Sequence, residues 1–377
     1  MKVALVLFDW FAHGGLQRDC RRIGESLSDR GADVDVLCMS RDGEVPPALH
    51  CIEAPAMNSS KVTARKAFAR FVAQQRDANA YDVVVGFNRL PGLDYYFAAD
   101  TCFAWKAARE RHLFYRWAPR SRQYLAFEQA VFGPGSKTRV FMLSPMQKAE
   151  YLACYPQCEV RLLDVPPGIA RDRMAPADAD TVRQHWRREF GLSESDLVVL
   201  QVGTGYPVKG VDRSLAAIAA LPEALRSRVQ FFLLGSDPRY RYATEAARLG
   251  MAAQLHILAG RDDLPRFYQG ADLLLQPSQK ESAGMVLLES IVAGLPVLTT
   301  ATCGYAFHVE QAQAGVVLPE PFTQQSMNDA LASILAADKS AWREHGIAYG
   351  RQGDFYAMPD HVAQIILAGH GAKAHGH

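Results

Sequence analysis

What this chain lacks narrows its function before any motif is read. No run approaches the ~18 consecutive apolar residues of a membrane-spanning helix. The GxGxxG fingerprint of dinucleotide binding is missing, as is the GxxxxGK followed by Ser or Thr of a triphosphatase loop, which disfavours a nicotinamide oxidoreductase and a P-loop enzyme. Excess charge is missing too: 41 Lys and Arg stand against 40 Asp and Glu, a net charge of +1. No global field then draws nucleic acid or a polyanion, and any charged partner has to be met by a local patch. Cysteine is sparse and odd in number, seven in all, with no CxxC pair. The pair in "CYPQC" (Cys154, Cys158) lacks metal-ligand spacing and a partner cluster. Reduced thiols in a cytoplasmic setting are therefore a simpler reading than a disulfide framework.

What is present is two-domain α/β patterning. The 377 residues are roughly twice a typical domain. The opening "MKVALVLFDWF" reads as a buried first strand rather than a leader, because Asp9 interrupts its apolar run and no small-x-small cleavage site follows. Short β-branched runs then alternate with helical patterns: "VALVLF" before "LQRDCRRIGESLSDRG", "YDVVVGFN", and "RVFMLS" before "PMQKAEYLACY". The alternation resumes with "LVVLQVG" before "GVDRSLAAIAAL", "VQFFLLGS", "DLLLQP" and "PVLTT". Apolar runs of four to eight residues between helices predict buried parallel strands with crossover helices. Ser144-Pro145 predicts a capped helix start, and "DVPPGI" breaks the chain where the second set of units begins. The expected domains are 1–165, 166–350, and a C-terminal helix with a flexible tail over 351–377. Two doubly wound sheets would turn the carboxyl ends of their strands, and so their binding loops, toward a shared cleft.

Several loops then carry chemistry. "HGGLQRD" follows the first strand: Gly14 and Gly15 allow close approach to backbone amides at a helix start, an anion site, although a plain tight turn also explains two glycines. Asp19 lies one turn into that helix. "QVGTGYPVKGVDRSL" delivers Lys209 next to Gly210 at another helix start, which suits a diphosphate as well as a solvated lysine. Arg261 in "AGRDDL" stands at the end of a further strand, and Arg171 and Arg173 follow "PPGI". Phe103 to Tyr124 holds Lys106, Arg109, Arg111, Arg116, Arg120 and Arg122 against Glu110 alone, interleaved with large aromatics. An anionic membrane surface fits that mixture better than a nucleic acid duplex, and a solvated basic face is the plain alternative. Finally, "SQKESAGMVLLESIVAGLP" sets Glu281 in a small-residue loop and Glu289 inside an apolar helix. A buried carboxylate needs a partner, and the hydroxyls of a ribose would serve.

"ESAGMVLLESIVAGLPVLTT" with "GTGYPVKGVDRS" resembles the retaining glycosyltransferases of family 4, which have the GT-B fold. Together with "GGLQRD", "VGFNRLPGLDYYFAAD", "PPGI", "GLPVLTTATCGYA" and "FYAMP", the chain resembles the lipopolysaccharide core glucosyltransferase I family, the WaaG/RfaG type, over nearly its whole length. The resemblance implies two Rossmann-like domains facing across a cleft, with the C-terminal helix returning to the first. It implies transfer of glucose from UDP-glucose to the inner-core heptose of lipopolysaccharide, with retention, no metal and no cofactor. Gly14 and Gly15 would lie against the donor diphosphate and Asp19 near the donor sugar. Arg173, Lys209 and Arg261 would meet the nucleotide, Glu281 with Ala283, Gly284, Met285 and Val286 would hold glucose, and Glu289 the ribose. Asp19, Lys209 and Glu281 are the expected catalytic residues. Asp100 and His13 would face the acceptor, and the basic aromatic segment, 103–132, would rest on the cytoplasmic face of the inner membrane. The chain departs from the family at "FDWFAH", at Val208 and at "GYAFH", which moves a histidine to His308. Another family 4 donor or acceptor, a nucleotide-sugar epimerase on the same fold and a non-catalytic binding protein stay open alternatives.

Overall fold

In a computed structural model of the chain, residues 1–11, 14–56, 58–109 and 117–374 are described, residues 371–374 by their backbone only. His13, Arg111 and Arg116 of the expected site lie outside them. The chain divides into two compact units, Met1–Gly168 with Tyr356–His377, and Ile169–Phe355.

The first unit runs β1 (Lys2–Val6), β2 (Asp9–Phe11), α1 (Gly15–Asp29), β3 (Asp33–Cys38), β4 (Ser40–Asp42), β5 (His50–Glu53) and α2 (Lys61–Asn79). It continues with β6 (Val83–Gly86), β7 (Tyr95–Phe97), α3 (Phe103–Arg109), α4 (Pro119–Phe132), β8 (Arg139–Met142), α5 (Pro145–Cys154) and β9 (Leu162–Asp164). Seven strands form one sheet in the order β5-β3-β1-β6-β7-β8-β9, and β2 pairs with β4 beside it. All these pairings are parallel.

The continuous apolar runs of the sequence follow from that sheet being covered on both faces. Side chains alternate along a strand. Val3 and Leu5 of β1, with Val83 and Val85 of β6, enter one core; Ala4, Val6 and Val84 enter the other. A strand with two buried faces has no polar position to alternate with. Ser144 caps α5 as its sequence context predicts: its hydroxyl accepts from the Gln147 amide at 3.2 Å, with Pro145 in the first turn.

The second unit holds α6 (Ala179–Glu189), β10 (Leu197–Val202), α7 (Tyr206–Lys209), α8 (Val211–Ala219), α9 (Glu223–Arg226), β11 (Val229–Leu234), α10 (Tyr240–Arg248) and β12 (Leu255–Leu258). There follow α11 (Leu264–Gly270), β13 (Leu273–Gln276), α12 (Met285–Val292), β14 (Val297–Thr300), α13 (Ala306–Gln311), β15 (Gly315–Leu318), α14 (Gln324–Ala336) and α15 (Ser340–Gln352). Its six parallel strands take the order β12-β11-β10-β13-β14-β15, which is the doubly wound order of a Rossmann sheet.

The last helix, α16 (Met358–Ala374), belongs to the first unit and packs on α1. Met358, Val362, Ala363 and Ile366 complete the core on that side of the first sheet. The segment from His370 onward, expected to be a flexible tail, stays helical as far as Ala374. Its alanines and Lys373 are good helix formers and simply prolong α16. Among the described residues no helix is long and apolar enough to cross a membrane.

Candidate active site

In the second unit the strand order reverses between the neighbours β10 and β13. Loops leaving two such strands run apart and open a crevice at their carboxyl ends. The loop after β10 carries Gly203, Gly205 and Lys209; the loop after β13 carries Ser278 and Glu281. The two loops meet: the Lys209 ammonium pairs with Glu281 Oε1, and Ser278 Oγ donates to Glu281 Oε2 at 3.0 Å. Both charged side chains are less than a fifth exposed. Gly210 makes the approach possible. It has φ +71°, and a Cβ there would stand 2.1 Å from the Pro277 carbonyl oxygen. Backbone clasps hold the pair in place. The Gln279 amide donates to Val208 O at 2.7 Å, and Gln201 Nε2 donates to Lys209 O at 2.7 Å.

Glu281 is fixed through its own backbone as well, donating to Thr302 O at 3.1 Å and accepting from the Gly304 amide at 3.0 Å. Three residues on, Gly284 turns the chain at φ +89° into α12. Ala283, Gly284 and Val286 are buried and Met285 is partly exposed. The first amides of α12 therefore open beside the Lys209–Glu281 pair, a place where helix ends favour anions and oxygen acceptors.

Glu289 lies deeper, 2% exposed. Its partner was expected to be a ribose. The structure supplies partners from the protein: Tyr268 OH donates to Oε2 at 2.7 Å, and Arg173 Nε stands 3.7 Å from Oε1. The physical reason is that a carboxylate this deep has to be compensated before any ligand arrives. Arg173 is itself buried and also pairs with Asp172 at 3.1 Å. Sequence reasoning missed Tyr268. The available signal was a tyrosine in a short apolar helix, whose hydroxyl needs an acceptor.

Arg261 is engaged locally. Its fork takes Asp263 in two hydrogen bonds, at 2.7 and 2.9 Å, and holds that carboxyl below its usual range. The guanidinium also lies 5.1 Å from the centre of the Phe267 ring. His308, the displaced histidine, is buried in α13. It hydrogen-bonds Tyr349 OH at 2.7 Å, and burial lowers its pKa to about 4, so it is a neutral core residue at pH 7.

In the first unit, Gly14 caps α1 and Gly15 begins it. A Cβ on Gly14 would collide with Gln17 and Phe11, whereas one on Gly15 would meet nothing within 4 Å. Asp19 follows one turn later, 6% exposed, with Arg18 Nε 3.9 Å from Oδ1. Gly15 and Asp19 thus share a helix face. Asp100, beyond the end of β7, accepts from Tyr96 OH at 3.2 Å and lies 3.6 Å from Arg89 Nε. Arg89, beyond the end of β6, also pairs with the fully buried Glu128 of α4.

Glu128 accepts further from the amides of Phe103 and Ala104 at 2.7 and 2.8 Å and from Tyr155 OH at 3.1 Å. The start of α3 is therefore tied to Arg89, and through it to Asp100. Of the basic residues on α3 and α4, Arg109, Arg120 and Arg122 are exposed and Lys106 partly so. Trp117 beside them is 75% exposed. Arg89 and Glu128 were not among the expected residues. Glu128 carried the same signal as Glu289, an acid within apolar sequence, "YLAFEQAVF".

A family model for glycosyl transferases group 1 matches residues 182–352, inside the second unit. The lipopolysaccharide glucosyltransferase WaaG of Escherichia coli K12 is 40% identical over 371 residues, 98% of this chain and 99% of its own length. The chain belongs to the WaaG family of glycosyltransferases. A crystal structure of WaaG, a glycosyltransferase involved in lipopolysaccharide biosynthesis, matches with a TM-score of 0.94 at 40% identity, covering 97% of this chain and 99% of that one. A sucrose-phosphate synthase from Thermosynechococcus elongatus shares the fold, with a TM-score of 0.81 at 19% identity, covering 98% of this chain and 99% of that one. This WaaG-family chain is thus a glycosyltransferase with the GT-B fold.

The Glu289 arrangement generates a stability test. Tyr268→Phe in this WaaG-family chain removes a hydrogen bond to a buried carboxylate and is expected to lower the unfolding free energy by about 1.5–3 kcal/mol. Equilibrium urea denaturation without ligand measures it. A change below about 0.5 kcal/mol would mean that Tyr268 is not a partner on which Glu289 depends.

Proposed function

We propose that this protein transfers glucose from UDP-glucose to the inner-core heptose of lipopolysaccharide, with retention at the anomeric carbon and without a metal ion. The observation that carries the reading is the convergence of Lys209 and Glu281 from two loops at the switch point of the second sheet. A cation held ready by a carboxylate, beside helix-start amides, suits a leaving diphosphate. The relative named a lipopolysaccharide glucosyltransferase supports the choice of donor hexose and acceptor class.

In this reading Lys209 releases Glu281 and turns to the diphosphate when the donor binds, and Glu281 then accepts from hydroxyls of the glucose. The amides of Ala283 to Val286 add donors at the helix start. Gly15, which leaves open space where a side chain would stand, lies against the diphosphate, and Asp19 near the donor sugar. Arg173 and Arg261 contribute positive charge on the nucleotide side. Glu289, held by Tyr268 and Arg173, stands on the ribose side.

Retention needs a carboxylate nucleophile or a front-face attack, and among the described residues no pair of acids at this site is arranged as nucleophile and acid. We therefore assign front-face attack. The bond from the anomeric carbon to the diphosphate oxygen breaks, the bond to the acceptor hydroxyl oxygen forms on the same face, and the hydroxyl proton passes to the leaving phosphate. Asp100 orients the acceptor. The exposed basic and aromatic side chains on and beside α3 and α4, among them Arg120, Arg122 and Trp117, hold the enzyme at the anionic cytoplasmic face of the inner membrane.

Lys209→Ala is expected to lower kcat by about thirtyfold or more, about 2 kcal/mol in barrier, in a protein that still unfolds in one cooperative transition. A turnover within about threefold of the parent would overturn the assignment. For the membrane surface, replacing Arg116, Arg120 and Arg122 together by Gln is expected to weaken co-sedimentation with phosphatidylglycerol-containing vesicles; unchanged binding would contradict it.

A further inference from the structure

The first unit contains a narrow pocket with Asp100 at its side, whose other side chains the transfer reaction, as assigned above, does not use. Phe8 and Phe127 give it apolar walls; Arg89 and Asp100 lie at one side and Arg65, Gln123 and Tyr124 at the other. Its space is about 240 Å3 to the open mouth, but the interior admits only about one water-sized group. It stands at the carboxyl ends of β1, β6 and β7, the edge at which doubly wound sheets bind ligands.

Two features of this pocket are unexplained by the fold. Gln123 is 4% exposed, and its Nε2 donates to Val62 O at 2.6 Å. That bond fixes the amide orientation and leaves Oε1 buried with no hydrogen-bond donor among the described residues. An orphaned buried acceptor costs about 1–3 kcal/mol and is satisfied when a donor such as a hydroxyl enters.

The second feature is Arg65. Its guanidinium lies 4.8 Å from the centre of the Phe8 ring and 5.1 Å from that of Tyr124, and it donates to Tyr124 OH at 2.6 Å. Among the described residues it has no carboxylate partner, unlike Arg89, which faces both Asp100 and Glu128. A guanidinium held beside two aromatic rings, with one hydrogen bond among the described residues, has donors left for an anion. Asp100, 42% exposed, presents carboxylate oxygen at the same place.

We propose that this pocket is a subsite for the acceptor, recognising an anionic, polyhydroxylated sugar unit: Gln123 and Asp100 accept from its hydroxyls and Arg65 binds its carboxylate or phosphate. The narrow interior takes one exocyclic hydroxyl-bearing group, with the ring left at the mouth against Phe8 and Phe127. This inference rests on the acceptor being lipopolysaccharide inner core, and it names Arg65 and Gln123 as specificity residues of the first unit.

The test is equilibrium binding of deacylated inner-core oligosaccharide to the full-length protein by calorimetry, run beside a glucose transfer assay. Arg65→Gln is expected to weaken binding at least tenfold and to raise the acceptor KM equally, with the donor KM unchanged and kcat within threefold. Arg65→Lys should recover part of the loss.

Phosphatase-treated and carboxyl-reduced oligosaccharides separate the two anions: the one whose removal abolishes the Arg65 effect is the group bound. Gln123→Leu should weaken the intact and the treated ligands alike, because it acts on hydroxyls. Unchanged binding in Arg65→Gln, or an Arg65→Gln variant that loses only its vesicle binding, would overturn the subsite. If the parent protein binds the oligosaccharide through Arg65 yet transfers no glucose, the subsite stands and the proposed reaction falls. If the parent protein binds no oligosaccharide at millimolar concentration, the subsite is excluded whatever the transfer assay shows.

Discussion

A carboxylate taken out of water has to find a cation or several donors within the protein, and that constraint organises the chemistry of this enzyme. Three glutamates show it. Glu289 is held by Tyr268 and Arg173, Glu281 by Lys209 and Ser278, and Glu128 by Arg89, two helix-start amides and Tyr155. Each joins elements that are far apart in the chain. Removing Arg89, the ion-pair partner of the fully buried Glu128, would strand a buried charge at a cost of about 3–5 kcal/mol. The geometry of the loops is therefore tied to the stability of the units that carry them.

The two sheets supply the frame for these pairs. Because both faces of the central strands are covered, their side chains are mostly apolar, and the charged groups of the candidate site stand beyond the strand ends. The reversal of strand order between β10 and β13 then sets two loops side by side, and Lys209 meets Glu281 there. In the first unit the ends of β6 and β7 present Arg89 and Asp100 in the same way. Glu128 adds a link of a different kind, since it connects that edge to the start of α3 and so to the basic aromatic surface.

Much of this was legible in the sequence. Apolar runs of strand length between helical patterns announced the doubly wound units, and the family motifs announced the GT-B fold and the glycosyltransferase class. The buried position of Glu289 and its need for a partner were readable from "GMVLLESIVAG" alone. The partner was not, because Tyr268 and Arg173 are distant in sequence and reach the acid only through the packing of α11 and the turn at 171–173. Lys209 and Glu281 were each singled out, yet their pairing follows from strand order, which periodicity does not encode. Arg89 and Glu128 were overlooked for the same reason: an arginine after a strand is ordinary until a buried acid is found opposite it. His308 was weighed as a departure near the site, and its burial against Tyr349 makes it a packing residue.

The proposed reaction exchanges the bond from the anomeric carbon to phosphate for a glycosidic bond on the same face of the sugar. The most direct test is proton NMR of the product formed from UDP-glucose and purified inner-core oligosaccharide in the presence of a chelator. The account requires a new glucosyl residue whose anomeric coupling shows the configuration of the donor. A product of inverted configuration, or consumption of UDP-glucose with no product on the oligosaccharide, would contradict it.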